Sequence, residues 1–305
     1  MGNLIVLEEQ LMKLPQTCMV AGFNHPSTDA GGVSTGIPSY LIELLGARKV
    51  GSISPALFGF PYAVKFAGGH EEPLTSEDIR NDFYHAVIGE TGLVIFLGNP
   101  LIQEASTLIR YADAFLDGSQ LFGARRIVSV AGTYDEVPFG KERGVSAIYS
   151  LRHMKEELDK YALSYTNRLR FHDHNSIINH RAEGRNIEFV RMSVRVPGYD
   201  RLADEKGPIF ANPDYRAFYG VLRRIRHMLG IDLDLSDLGN KSVQSDGSMH
   251  DRIARLVTTN PGVKIYLERL EGRFTEHRFA EPVNLSPSII YTLSELAGHL
   301  ERPPS

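Results

Sequence analysis

The clearest pattern along the chain is a short apolar run, a turn-rich break and a helical stripe, in that order. Residues 18–23 are apolar and bounded by turn formers, which predicts a buried strand. Residues 24–29 predict a loop, Gly31 and Gly32 follow, and then Ile37, Tyr40, Leu41, Leu44 and Leu45 recur at helical spacing on one face. Gly46 stands where a helix-terminating glycine belongs. A strand that runs through glycines into a helix leaves backbone N–H groups aimed at the loop, a place for an anion.

The same reading extends down the chain. Residues 49–53 predict a second strand, and 68–74 a loop. Phe58, Phe60 and Tyr62 share a face if their segment is extended, either lining a pocket or packing in a core. Residues 83–87 fit a helix begun near Ser76 or a strand, and Gly89-Glu90-Thr91-Gly92 predicts a hairpin turn into 93–97. That last run is apolar throughout, as a strand covered on both faces reads. A helix over about 102–120 should bury Leu108, Ile109, Ala112, Phe115 and Leu116, and 126–131 predicts a strand ending in Gly132 and Thr133. These repeated strand–loop–helix units predict an α/β protein with a largely parallel sheet, whose ligands bind outside the carboxyl ends of the strands. Farther on come a short helix (150–161), a very polar passage (167–185) read as an exposed loop, a strand (187–196) and a sixteen-residue loop (197–212) of the kind that forms a lid or an interface. A helix from Asn212-Pro213 to Leu229 turns Phe218, Val221, Leu222, Ile225, Met228 and Leu229 inward. Its arginines 216, 223, 224 and 226 mostly face solvent. A polar turn (232–247) precedes two helices broken at Asn260-Pro261 and a last amphipathic helix over 286–300.

Composition narrows the class without choosing a function. With 305 residues, 42% hydrophobic positions and a net charge of −4, the chain reads as a soluble globular protein, expected in the cytoplasm. The charge gives no electrostatic case for nucleic acid or an anionic membrane, and no apolar run is long enough to span a bilayer. The single cysteine, Cys18, lies within an apolar strand and reads as a core residue. The strand ends carry neither G-x-G-x-x-G nor a Walker A sequence, and Ser34, Ser129 and Ser146 lack G-x-S-x-G context, so no cofactor is implied.

Four ordered blocks resemble the PAC2 family, named after proteasome assembly chaperone 2: residues 22–51, 93–100, 125–139 and 212–239, with 260–272 beyond them. The resemblance implies a three-layer α/β/α fold similar to nucleoside phosphorylases and related hydrolases, with a core domain over 1–235 and a helical C-terminal extension over 236–305. It also implies a homo-oligomer, and a non-catalytic binding or assembly-chaperone-like role with a protein partner. The alternative is a small-molecule protein of nucleoside or phosphate type, with or without hydrolase or phosphorylase chemistry. Unlike many members, the chain has no Trp before Asp29-Ala30-Gly31 and reads Val196-Pro197-Gly198-Tyr199 where longer bacterial members have a His. Its last residues, Pro303-Pro304-Ser305, differ from the hydrophobic–Tyr–x ending by which some archaeal relatives dock on proteasome rings.

The candidate ligand site gathers at the predicted strand ends: His25, Asp29, Gly31, Gly32, Asn99, Thr133, Asp135 and Glu136. Asp29 either takes a ligand hydroxyl while the glycines allow close approach, or caps the following helix. His25 suits acid or base work near neutrality. Asp135 and Glu136 offer paired carboxylates if their strand lies beside that of Asp29. His172, Asp173 and His174 put two imidazoles on one face of a strand, but without a third ligand at fixed spacing no metal is expected.

Overall fold

The structure, a computed structural model, describes residues 5–8, 16–54, 57, 65–72, 80–100, 104–165, 173–276 and 278–281. In chain order its elements are β1 (Ile5–Leu7), β2 (Gln16–Phe23), α1 (Val33–Leu45), β3 (Arg48–Ile53), β4 (Lys65–Ala67), β5 (His70–Glu72), β6 (Asn81–Ile88) and β7 (Thr91–Gly98). Then follow α2 (Ala105–Leu121), β8 (Arg126–Asp135), β9 (Val145–Tyr149), α3 (Met154–Leu158), β10 (Leu163–Tyr165), α4 (His174–Gly184) and β11 (Glu188–Asp204). The chain goes on through β12 (Gly207–Phe210), α5 (Tyr215–Leu229), α6 (Ser236–Thr259) and α7 (Pro261–Arg273).

A ten-stranded mixed sheet organises them in the order β1-β3-β6-β7-β2-β8-β11-β9-β10, with β12 paired to β11. The central strands β7, β2, β8 and β11 are parallel, and antiparallel pairs flank them on both sides. Side chains alternate between two buried clusters, as a sheet covered on both faces requires. Val20, Leu93, Ile95, Val128, Val130 and Val190 face α1, α5 and α6. Met19, Phe23, Val94, Phe96, Ile127 and Phe189 face α2 and α4. All eight residues of β7 are buried, which explains its unbroken apolar run. The Gly89-Glu90 turn does close the β6–β7 hairpin, with Ile88 opposite Thr91. Gly46 adopts the left-handed conformation at the end of α1.

Several expectations give way to packing. The polar passage is not an exposed loop from residue 174 on. Asp173 caps α4 by accepting from the Ser176 N–H at 2.8 Å, and Arg181 and Arg185 pair with Asp113 on α2. Only Ile178 and Ala182 among its buried positions are apolar; the others, His174 and Asn175, are polar, so hydrophobic spacing hid the helix. The sixteen-residue loop is instead the β11–β12 hairpin, and 68–72 form the turn and second strand of the β4–β5 hairpin. The polar turn at 232–247 lies mostly inside α6, whose serines and glycines mask Leu238, Met249 and Ile253. Ile109 and Leu44, placed in buried stripes, are exposed. Arg224, placed toward solvent, is enclosed. Leu238, Met249, Ile253 and Leu270 of the expected C-terminal extension join the same buried cluster as α5. Phe58, Phe60, Tyr62 and the helix expected over 286–300 lie outside the described residues.

Candidate functional site

The carboxyl end of β2 meets α1 at very close range. A Cβ on Gly22 would stand 1.7 Å from the Ser34 carbonyl oxygen, so only glycine lets the helix settle on the strand. The chain then turns: the Thr28 N–H donates to the His25 carbonyl at 2.9 Å, and the Gly132 N–H donates to the Thr28 carbonyl at 2.7 Å. Asp29 lies beside Gly132 of β8. Its carboxylate is engaged by the chain itself. One oxygen accepts from the Thr35 N–H at 2.9 Å and the other from the Thr35 hydroxyl at 2.8 Å, so the first turn of α1 is satisfied from within the chain. Burial pushes the Asp29 carboxyl above its usual range, against these hydrogen bonds.

Gly31 and Gly32 follow with φ of 63° and 66°, a conformation that side chains resist. Their open side is filled too. A Cβ on Gly31 would approach Val196 Cγ1 at 2.9 Å and Asp214 Cβ at 3.0 Å, and the Asp214 N–H donates to the Gly31 carbonyl at 3.0 Å. The glycines therefore admit the start of α5, where sequence alone left them open to a ligand.

His25 points to the opposite face of the sheet. Its Nδ1 accepts from the Ser27 N–H at 3.3 Å, with the Ser27 hydroxyl at 2.8 Å, an arrangement that suits a neutral ring with its proton on Nε2. Its ring lies 5.2 Å from that of His174. His174 Nε2 accepts from the Asn175 amide at 2.9 Å, and the Asn175 carbonyl oxygen accepts from the Ser129 hydroxyl at 2.7 Å. Burial holds both imidazoles below their ordinary value, His174 far more strongly. An amide standing between serine and histidine cannot take the hydroxyl proton, so this chain of bonds does not activate a nucleophile. Asp173 turns away to Arg191 at 2.8 Å. Among the described residues no three His, Cys, Asp or Glu side chains converge to hold a metal ion, and His172 lies outside them.

The remaining candidates spread along the sheet edge. The Asn99 N–H donates to the Asn81 side chain at 2.9 Å, beside β6. Thr133 is exposed, 3.5 Å from the Ser193 hydroxyl. Asp135 pairs with Arg195 at 3.4 Å. With Glu136 it lines an open cleft of about 440 Å³ beneath the end of α7, together with Arg195, Leu270, Arg273 and Phe274. The eight candidates thus fall into a filled loop (Asp29, Gly31, Gly32), a histidine cluster (His25), a β6 contact (Asn99) and a charged cleft with Thr133 nearby. Asn175, Arg191, Arg195 and Arg273 went unnoticed in the sequence, and Ser129 was weighed there only as a nucleophile. Arg191, Ser193 and Arg195 alternate along β11, and that two-residue spacing is the signal that marks a polar strip on one face.

A profile described as the PAC2 family matches residues 23–249. No curated protein matches the chain. Among solved structures, a PAC2 family protein from Streptomyces avermitilis is similar at a TM-score of 0.62 and 16% identity, over 77% of this chain and 95% of that one. Pyrococcus furiosus PbaB, described as an archaeal proteasome activator, gives 0.59 and 17% over 81% of this chain and 97% of its own. A proteasome-assembly chaperone homologue of Mycobacterium tuberculosis gives 0.60 and 14% over 76% and 94%. At such identities these likenesses speak to the fold.

Proposed function

The chain belongs to the PAC2 family, and from that premise we propose that it is a non-catalytic binding protein of the assembly-chaperone type, which works by holding other polypeptides as a homo-oligomer. The observation that carries this reading is the filled loop. The anion place at the start of α1 is taken by the chain's own Asp29, and the space above Gly31 by Val196 and Asp214. The family's description and the names of two structural neighbours, an activator and an assembly-chaperone homologue, support the assembly side of the reading. No helix among the described residues is long and apolar enough to cross a membrane, which is compatible with a soluble partner.

Native mass spectrometry of the protein purified gently from its own host tests the proposal. A second polypeptide at fixed stoichiometry is expected, unchanged in an Asp29→Asn variant, and the same spectrum reads the subunit count. A small-molecule adduct that disappears with Asp29→Asn, with no protein partner, would overturn it. An adduct lost instead with Arg195→Gln would move the site to the Asp135–Arg273 cleft and favour a phosphate-type ligand.

A further inference from the structure

Helix α5 carries four arginines, and Arg224 is set apart by being fully enclosed, at 0% exposure. Its Nε donates to the Tyr161 carbonyl at 2.8 Å and its Nη1 to the Gly220 carbonyl at 2.7 Å. The carboxylate facing it, Glu142, stands off at 3.5 Å. Burial drags the guanidinium down to about 10. A charge sealed in with so distant an anion is costly to keep.

The cover over Arg224 is a short segment, residues 278–281, that follows α7. Phe279, 3% exposed, lays its ring 5.0 Å from the Arg224 guanidinium and 5.6 Å from that of Arg223. The rings of Tyr161 and His227 flank it at 6.0 and 5.9 Å. Its N–H donates to Glu142 at 3.4 Å, and its carbonyl accepts from Arg223 at 3.0 Å. Two residues on, Glu281 accepts from Arg223 at 2.5 Å, from Arg226, and from His227 at 3.2 Å. Burial pushes the Glu281 carboxyl up, but these three donors outweigh it and hold it at about 2.

We propose that this face of α5 is a docking groove for an extended protein segment of the form aromatic–x–acid, and that Phe279-Ala280-Glu281 occupies it as a built-in competitor. The groove supplies what such a segment needs: an aromatic slot roofed by guanidinium groups, and beside it three nitrogen donors converging on one carboxylate. The seated residues belong to no helix or strand, so side chains and single backbone contacts hold them, as in short-motif recognition. A tethered occupant acts at an effective concentration on the order of millimolar. It therefore raises the apparent Kd of an equivalent free segment by about 10- to 100-fold if the free segment binds at tens of micromolar. The proposal takes its biological meaning from the binding-protein reading above. Its test needs only this chain and a peptide, so the two stand or fall separately.

The experiment is fluorescence anisotropy with a labelled peptide copying residues 275–281, titrated with the full-length wild type and with a full-length Phe279→Ala/Glu281→Ala variant. The variant should bind at least 10-fold more tightly than the wild type. A peptide with both its aromatic and its acid replaced by alanine should not bind. A variant that melts cooperatively like the wild type yet takes up no peptide overturns the proposal. If the double variant fails to fold, Glu281→Gln, which leaves Phe279 in place, carries the test. It should bind the peptide more tightly than the wild type, and equal affinity overturns the proposal.

Discussion

Two of the guanidinium groups buried among the described residues, those of Arg143 and Arg224, have opposite surroundings. Arg143 and Asp214 expose 2% and 3% of their side chains and meet at 2.8 Å. The same arginine donates to the Phe139 and Lys141 carbonyls at 2.6 and 2.8 Å, so one side chain gathers the loop between β8 and β9. Asp214 in turn caps α5 through the Ala217 N–H at 3.0 Å. The charge partner of Arg143 is thus fixed at the start of a helix and meets it at hydrogen-bond distance. Arg224 is enclosed as deeply, but it meets carbonyls, a distant carboxylate and the ring of a segment that follows α7. The first arrangement is a joint; the second is a surface with a cover on it. The same residue type at the same burial therefore does different work, and the partners decide which.

Replacing Arg143 by Met gives the largest expected effect. It strands the Asp214 carboxylate in the interior and leaves the loop carbonyls without their donor, a loss of about 3–5 kcal/mol. Urea unfolding monitored by circular dichroism would show it as a lower midpoint at unchanged slope. Asp214→Asn should fall in the same range even though asparagine still caps a helix, because the lost item is the charge match. A change below about 1 kcal/mol in both would mean that water reaches this pair, and the contrast with Arg224 would collapse.

A third enclosed nitrogen base takes neither course. His174 stays neutral, its Nε2 accepting from Asn175, with burial holding its pKa well below that of free histidine. The sign of the consequence is fixed. The unfolded chain gains this proton near pH 6.5 while the folded chain refuses it, so stability is complete above that pH and lost as pH falls below it. The expected slope is about 1.4 kcal/mol per pH unit between pH 6 and 5. Urea melts across this range should show the slope in the wild type, and a His174→Gln variant should lack that component. An unchanged slope in the variant would assign the acid sensitivity to other groups.

These three sites also show which parts of the molecule can be read in advance. The β7 strand, the Gly89-Glu90 turn, the glycine at the end of α1 and the inward stripe of α5 were legible because local chemistry and the fold agree there. Helix α4 and the first half of α6 were not, because their buried positions include polar residues: Asn175 meets Ser129 and His174 lies near Phe23 and His25, all far away in the chain, while Ser242 donates to Gly239 one turn back. The glycines of the loop after β2 were legible as a special backbone, but their neighbour was not. That Asp214 closes over Gly31 depends on a strand and a helix nearly two hundred residues downstream. Arg224 failed for the same reason: its spacing on α5 says surface, and only the approach of Tyr161 and Phe279 makes it interior.

The smallest expected effect is the most informative. Arg224→Met keeps a side chain of similar length against Phe279 and removes a charge that is desolvated without a close anion. One lost bond, to the Gly220 carbonyl, is made to an oxygen already used within the helix. Replacing such a charge by an apolar group of similar volume is often neutral or mildly stabilising, so the change should stay within about 1 kcal/mol by the urea melts that show the Arg143→Met loss. The peptide affinity of the opened groove should nonetheless fall, because the roof over the aromatic slot is gone. Stability retained and binding lost would identify Arg224 as a residue kept for recognition. Stability lost to the extent seen for Arg143→Met would make both arginines joints, and the segment around Phe279 an ordinary part of the core.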